Sequence, residues 1–277
     1  MHLALLALLC GIIDADAARA VFAKAQKSVV TVRLVVKLVA GGHDSEQKIE
    51  TSATVIDPSG LTVIPAAAAD PAAMMRTMMR SRPGSPEVKF ESSVTEAMIL
   101  LPDGTEIESD VVLKDADLDL AFLRPREGGR IFDAVLLKPG KGLPPVLDQI
   151  ILVGRYGQDA SRAAWSEIVR MRGIVKGPRT YGLVDSGGSD ALGTVAYSAD
   201  GTALGVFVTK TSGGGGPEVR RMGGGDEHVI LRPVDDVLEI AEQARKQPRP
   251  LPAVTVSPLP ATAVAPISKP APAPVKK

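Results

Sequence analysis

The sequence predicts an all-β fold, a barrel or a sandwich, closed by one C-terminal helix. Segments rich in β-branched residues recur along the chain, the clearest being 28–40, "SVVTVRLVVKLVA". Tight-turn signals separate such segments, namely Pro58-Ser59-Gly60, Asp103-Gly104 and Asp200-Gly201. Helical periodicity is clear late in the chain, where "VDDVLEIAEQARKQ" carries an apolar residue at Val234, Val237, Leu238 and Ala241.

Further strands are predicted at 118–123, 149–153, 168–175 and 229–231. The closing helix has Pro233 at its start, where the missing N–H costs nothing. A length of 277 residues with 45% hydrophobic side chains allows one large or two small domains with a sizeable core.

Composition gives no support for nucleic-acid binding. The 32 basic and 32 acidic side chains cancel, so no net charge attracts a polyanion or an acidic membrane surface. Aromatic residues make up only 3% of the chain, too few for a platform that stacks single-stranded bases.

Residues 1–20 are predicted to be a secretory signal peptide. Their apolar run, 3–13, is too short to span a bilayer, and small-x-small cleavage sites follow at Ala15-Ala17 and Ala18-Ala20. The basic start is missing, which leaves a buried N-terminal helix as the alternative. The single cysteine, Cys10, lies inside this run, so the mature fold would depend on its core and not on disulfides. We expect a secreted, periplasmic or cell-envelope protein.

Residues 247–277 are predicted to be a disordered tail. Pro, Ala, Val and Ser dominate this segment, and proline at such density favours extended, semi-stiff chain. A spacer is the favoured interpretation, and a docking peptide for a partner is the alternative.

Seven segments between these ends follow one another in a distinctive order. They are "SVVTV", "TSATVIDPSGLTVIPAAAA", "DGTEIESDVVLKDADLDLAFLRP", "LDQIILVGRYG", "MRGIVKG", "LGTVAYSADGTALGVFV" and "HVILRPVDDVLEIAEQAR". Over residues 21–246 this order resembles the trypsin-like serine proteases of the HtrA (Deg) type. The resemblance implies one protease-fold domain made of two antiparallel six-stranded β-barrels, closed by the C-terminal helix, with a Ser-His-Asp triad at the barrel interface.

The resemblance also assigns the three triad positions. The family's histidine falls on Ala67, seven residues after Gly60, and its aspartate falls on Asp119, before Leu120-Ala121. Its serine falls on Leu192, eight residues before Asp200. Ala67 cannot take a proton and Leu192 offers no nucleophile, so serine chemistry is not expected at these positions. Asp119 is left to accept hydrogen bonds at the barrel interface.

Ser186 provides an alternative nucleophile, because "VDSGGSD" (184–190) carries the Asp-Ser-Gly-Gly run typical of trypsin-like enzymes. Its loop would then hold six more residues than the family's before the Asp200-Gly201 hairpin. A base would also be needed, either His43, predicted in a loop between strands, or His228, at the start of the last strand. Neither matches the family's histidine position, so Gly187 and Gly188 are interpreted as a flexible turn.

The favoured function is therefore a catalytically inactive pseudoprotease that binds a protein or peptide in the degenerate substrate cleft, or serves as a scaffold. The alternatives are an active serine endopeptidase using Ser186, and a structural envelope protein tethered through the tail. No cofactor or metal ion is expected. Oligomeric state is left open, although trimers are common in the resembling family.

Two further segments have distinctive compositions, one rich in methionine and one rich in glycine. Residues 72–93 resemble a family helix extended by an insertion, with Met74, Met75, Met78 and Met79 on one helical face. Core packing by these methionines is favoured over a peptide-binding surface or a thioether metal site. The glycine-rich stretch 212–227 lacks the Gly-Lys-Ser/Thr ending of a phosphate loop, so flexibility is favoured.

Overall fold

Two closed six-stranded antiparallel barrels make up the fold in a computed structural model, which describes residues 13–80, 89–140, 142–185, 188–211 and 227–248. The first barrel closes in the order β1-β2-β3-β6-β5-β4. Its strands are β1 (Val29–Ala40), β2 (His43–Val55), β3 (Thr62–Pro65), β4 (Phe90–Leu100), β5 (Glu106–Asp115) and β6 (Leu120–Pro125).

The second barrel repeats this connectivity, in the order β7-β8-β9-β12-β11-β10. Its strands are β7 (Gln149–Arg155), β8 (Ala164–Val175), β9 (Tyr181–Val184), β10 (Val195–Tyr197), β11 (Ala203–Thr211) and β12 (Glu227–Pro233). The predicted all-β class, with two six-stranded barrels, is confirmed.

Four helices accompany the barrels in the described chain: α1 (Ala15–Ala25), α2 (Ala66–Ala69), α3 (Pro71–Arg80) and α4 (Val234–Lys246). Helix α4 confirms the predicted closing helix. Its ends match the helix dipole, because acidic side chains occupy the first turn and basic ones the last. It buries Val237 and Ala241 in the central core.

Both predicted Asp-Gly hairpins are present, between β4 and β5 and between β10 and β11. In each turn the aspartate side chain accepts a hydrogen bond from the backbone N–H two residues later, Asp103 from Thr105 at 2.9 Å and Asp200 from Thr202 at 3.0 Å. The glycine of each turn has a left-handed φ, which other residues adopt at a cost.

Among the described residues, three apolar clusters form the core: one inside each barrel and one between the barrels. Strand β6 serves two of them, because side chains alternate along a strand. Leu120 and Phe122 face the central cluster, whereas Ala121 and Leu123 face the inside of the first barrel. The central cluster also takes residues from α1, the second barrel and α4, so it holds the barrels together.

Helix α1 overlaps the predicted signal peptide, residues 1–20. Residues 15–20, assigned to the signal peptide, form the first half of this helix, whose Val21 and Ala25 are buried in the central cluster. The backbone N–H of Ile13 donates to Gln149 Oε1 at 2.6 Å. Residues 1–12 lie outside the described chain, so cleavage stays a prediction. No helix in the described ranges is long and apolar enough to cross a membrane.

The prediction that His43 lies in a loop is wrong. The loop is only Gly41-Gly42, both with left-handed φ, and His43 is the first residue of β2, paired with Ala40. Residues 43–48 at the start of β2 are all exposed, so this part of the strand lacks the alternation of apolar and polar residues that predicts a strand.

The structure describes only part of the methionine-rich, glycine-rich and C-terminal segments. Helix α3 bears out a helix within residues 72–93, with Met75 and Met79 half-buried, but the side chains of Met74 and Met78 and residues 81–88 lie outside the described parts. The glycine-rich residues 212–226 and tail residues 249–277 lie outside them as well.

Candidate functional site

The carboxylate of Asp119 joins the two barrels. Its Oδ1 accepts the backbone N–H of Ala67 at 2.8 Å, from helix α2 on the first barrel. Its Oδ2 accepts both the backbone N–H and the hydroxyl of Thr209, at 2.7 and 2.5 Å, from strand β11 of the second barrel. Only 9% of Asp119 and 8% of Thr209 are exposed. The predicted role of Asp119 as an acceptor at the barrel interface is thus observed.

Local turn chemistry delivers Asp119 to this position. Asp115 Oδ1 accepts the backbone N–H groups of Asp117 and Leu118, which folds the chain back before β6. Asp119 itself has a left-handed φ of 53°, which aspartate tolerates better than most residues. Its neighbours Leu118 and Leu120 are buried and fix the turn against the central cluster.

Helix α2 presents its first N–H groups to Asp119. It starts after Pro65 without a side-chain cap, so its first-turn donors need other acceptors. Ala66 N–H donates to the carbonyl oxygen of Asp119 at 3.1 Å, and Ala67 N–H donates to its carboxylate. One aspartate therefore satisfies two donors at the helix start.

The electrostatics of Asp119 are set mainly by burial. Burial raises the pKa of the Asp119 carboxyl, and the hydrogen bonds from Thr209 and Ala67 oppose this rise. The positive charge of buried Arg232 also favours the ionised form. Arg232 lies 3.6 Å from the carboxylate of Asp236 on α4.

Leu192 ends a 3₁₀ turn, Ser189–Ala191, that rests on the first barrel. The backbone N–H of Leu192 donates to the carbonyl of Ser189 at 3.2 Å, inside the turn. Gly193 follows with φ 78°, and a Cβ at that position would lie 2.1 Å from the carbonyl oxygen of Ser52. Thr54 Oγ1 also donates to the carbonyl of Gly193 at 3.2 Å.

Pro65 connects this turn to the site of Asp119. A Cβ added at Gly193 would lie 3.1 Å from the Cδ of Pro65, and Ala66 and Ala67 follow Pro65 directly. The structure therefore brings all three predicted triad positions, Ala67, Asp119 and Leu192, to one edge of the barrel interface.

The chemistry of this arrangement is limited. The Asp119 carboxylate acts only as an acceptor in its three described hydrogen bonds, and two of the three donors are backbone N–H groups. The Ala67 and Leu192 side chains are hydrocarbons, which neither accept a proton nor act as a nucleophile. The Leu192 N–H is already bonded within its turn, whereas an oxyanion hole needs N–H groups aimed at the reacting carbonyl. Among described residues, no group of three or more His, Cys, Asp or Glu could hold a metal ion.

Of the alternative catalytic residues, the described chain places only His43 and the backbone of His228. Ser186 and Gly187 lie outside it. His43 sits at the exposed tip of the β1–β2 hairpin, and roughly 30 Å of strand separates it from Ser52 beside the site. His228 pairs with Lys210, so its backbone lies one position beyond the Thr209–Val229 pair.

Thr209 was missed by sequence reasoning. The only signal for it is a hydroxyl directly after the apolar run 205–208 of a predicted hairpin strand. Nothing in that local pattern indicates a partner ninety positions earlier, since the contact depends on how the barrels pack.

Comparison with known proteins bears on the fold. No family model and no curated protein matches this sequence. Among solved structures, a variant of the HtrA-type protease AlgW with a tripeptide matches with a TM-score of 0.56 and 13% identity. The match covers 83% of this chain and 64% of that chain, so this chain spans less than two thirds of the neighbour. The two closed barrels and the C-terminal helix match the trypsin-like fold of this neighbour.

Proposed function

We propose that the chain is a catalytically inactive pseudoprotease of the trypsin-like, HtrA type, which binds an extended protein or peptide segment outside the cytoplasm. The observation that carries this proposal is the environment of Asp119. Its carboxylate receives the backbone N–H of Ala67, at the position assigned to the catalytic histidine, and the N–H and hydroxyl of Thr209.

Proton transfer is the catalytic step that this site has no side chain to perform. A serine hydroxyl becomes a nucleophile when an imidazole removes its proton, and a carboxylate orients that imidazole. Here the carboxylate is retained, but Ala67 places a methyl group where the imidazole would begin. Leu192 replaces the hydroxyl, and its N–H stays inside its own turn. Two successive steps of the reaction therefore have no group to perform them.

The fold supports peptide binding. The neighbour AlgW was solved with a tripeptide. A protein can hold an extended peptide by main-chain hydrogen bonds to a strand edge, with pockets for alternate side chains. Such binding needs neither the histidine nor the serine, so the loss of both leaves it intact. The location outside the cytoplasm rests on the predicted signal peptide.

A peptidase assay on the purified chain tests this function. The parent, Ser186→Ala and His228→Ala are incubated with a quenched-fluorescent peptide library beside an active trypsin-like enzyme. We expect no cleavage above buffer by any of the three chains. Cleavage by the parent that either substitution abolishes would contradict the proposal.

An active serine endopeptidase built on Ser186 is the second candidate. One observation favours it: the backbone of His228 lies next to the Val229–Thr209 pair, on the strand beside the one that carries Thr209. In that case His228 would have to reach both Ser186 and the Asp119 region, and the His228→Ala variant of the assay above decides the matter.

A further inference from the structure

The wall of the first barrel is split between β4 and β5. The two strands are 11 and 10 residues long, yet they pair over only three positions, Met98 with Glu108, Ile99 with Ile107 and Leu100 with Glu106. Beyond these pairs, the described residues of β4 pair only with β1, and those of β5 only with β6. Two strand edges therefore face each other without pairing.

Two β-bulges explain this separation. Thr95 is the extra residue in the pairing of β4 with β1, and Val112 is the extra residue in the pairing of β5 with β6. A bulge bends its strand and increases its twist, so two bulges facing each other turn the strands apart. Both bulged residues lie where the strands diverge.

A cleft of about 440 Å³ occupies the split. Residues 92–97 line one side and 109–114 the other, with Arg126 at the edge. This volume lies within the roughly 300–1,000 Å³ range of ligand sites. An unpaired strand edge presents backbone donors and acceptors, which makes it a template for a further strand. The cleft is thus shaped for extended chain between two edges.

The C-terminal tail leaves the fold beside this cleft. Arg124 donates to the carbonyl oxygens of Ala244 and Gln247, at 2.6 and 3.0 Å, and so holds the end of α4 against β6. Arg124 pairs in register with Asp110 of β5, one of the residues that line the cleft. Arg126, the first residue after β6, donates to Asp110 Oδ1 at 3.0 Å and lines the cleft itself.

We propose that residues 253–257 of the tail, Ala-Val-Thr-Val-Ser, insert as an additional strand between β4 and β5. This segment has three β-branched residues, which favour strand structure. Pro252 and Pro258 flank it, and proline lacks the N–H that a ladder needs, so the strand ends at both. The chain from Gln247 to Ala253 can span roughly 20 Å, enough to cross β6 and β5 at strand spacing.

A disulfide experiment tests this docking in the full chain. In a Cys10→Ser background, Glu96→Cys on the cleft is combined with Thr255→Cys. The matched control combines it with Thr262→Cys, in the second proline-free segment, 261–265. Bonding requires Cα atoms within about 7 Å. We expect an intrachain disulfide in most molecules for Thr255→Cys and its loss for Thr262→Cys. Equal bonding of both, or concentration-dependent bonding between chains, would overturn the proposal.

Hydrogen exchange gives an independent reading without cysteines. In the full chain, Val256→Pro removes a ladder donor from the inserted strand, whereas Val264→Pro changes the other segment in the same way. We expect Val256→Pro to reduce protection of the amides at 92–97 and 109–114, and Val264→Pro to leave it unchanged. The same protection in both variants and the parent would show that the tail does not occupy the cleft.

Discussion

The hydroxyl and backbone N–H of Thr209 both donate to one carboxylate oxygen of Asp119, across the interface between the two barrels. This pair, 90 positions apart in sequence, is one of two buried polar links between the barrels that this site contains, and the hydrogen bond from Thr54 to the Gly193 carbonyl is the other. An ionised, buried carboxylate needs such donors. Burying it without hydrogen-bond partners costs far more free energy than the same hydrogen bonds would contribute at an exposed position.

Thr209→Val should destabilise the fold by about 1.5–3 kcal/mol, the range for a hydrogen bond to a charged group. Valine keeps the shape and the backbone donor but removes the hydroxyl. Urea unfolding of the parent and variant measures the loss. Thr95→Val is the control, because its hydroxyl bonds the neutral carbonyl of Val35 at an exposed position and should matter less. Equal costs for the two variants would argue against a special role for Thr209.

Ala67→His should place an imidazole against Asp119. The negative charge of the carboxylate should raise the pKa of this imidazole above the usual histidine value of about 6.5. Oδ1 of Asp119 accepts only one described hydrogen bond, from Ala67 N–H, and a carboxylate oxygen can accept two. NMR titration of the introduced imidazole gives the pKa. Ala68→His, one position along the same helix, serves as the control. The same pKa in both variants would mean that Ala67 is not the histidine position.

Asp119→Asn should lower stability at every pH. The N–H₂ group of the asparagine would have to face either Ala67 N–H or the two donors of Thr209, and a donor cannot accept their hydrogen bonds. The cost should shrink as pH rises above about 4. Burial raises the pKa of Asp119 in the folded state above its value in the unfolded state. The contribution of this carboxyl to the free energy of unfolding is therefore complete below the unfolded-state pKa, and it is lost as pH rises through the folded-state pKa. Urea unfolding of parent and variant across this range measures the difference. A cost that grows with pH would show that the donors outweigh burial.

Gly193→Ala should cost at least the roughly 1–3 kcal/mol typical of a strained backbone. Its φ of 78° disfavours a side chain, and the added Cβ would overlap the carbonyl oxygen of Ser52. Thermal unfolding reports the loss. Gly188→Ala in the same loop should be close to neutral, since its Cβ meets nothing within 4 Å. Similar losses for both would mean that the turn does not rest on the first barrel.

Local chemistry explains which parts of the fold could be predicted. Asp103-Gly104 and Asp200-Gly201 encode their hairpins in two residues, and the spacing of Val234, Val237 and Ala241 encodes α4. The neighbourhood of Ala67 and Asp119 followed from a resemblance spread over seven segments. These features depend on short stretches of chain or on their order.

Other features depend on how distant segments pack, and the sequence pattern did not indicate them. Helix α1 begins with the spaced alanines of a cleavage region, and its packing on the central cluster shows that it belongs to the fold. Thr209 meets Asp119 because two barrels dock. The cleft between β4 and β5 follows from bulges at Thr95 and Val112, which appear only when strand registers are known.

Labelling by a fluorophosphonate probe, read by intact mass, tests the central claim of an inactive protease fold most directly. The probe bonds covalently to an activated serine, so it detects a working site whatever the substrate. We expect no mass increase for the parent, while an active serine protease labels under the same conditions. A single added probe on the parent that is absent from Ser186→Ala would contradict it and identify 184–190 as an active-site loop.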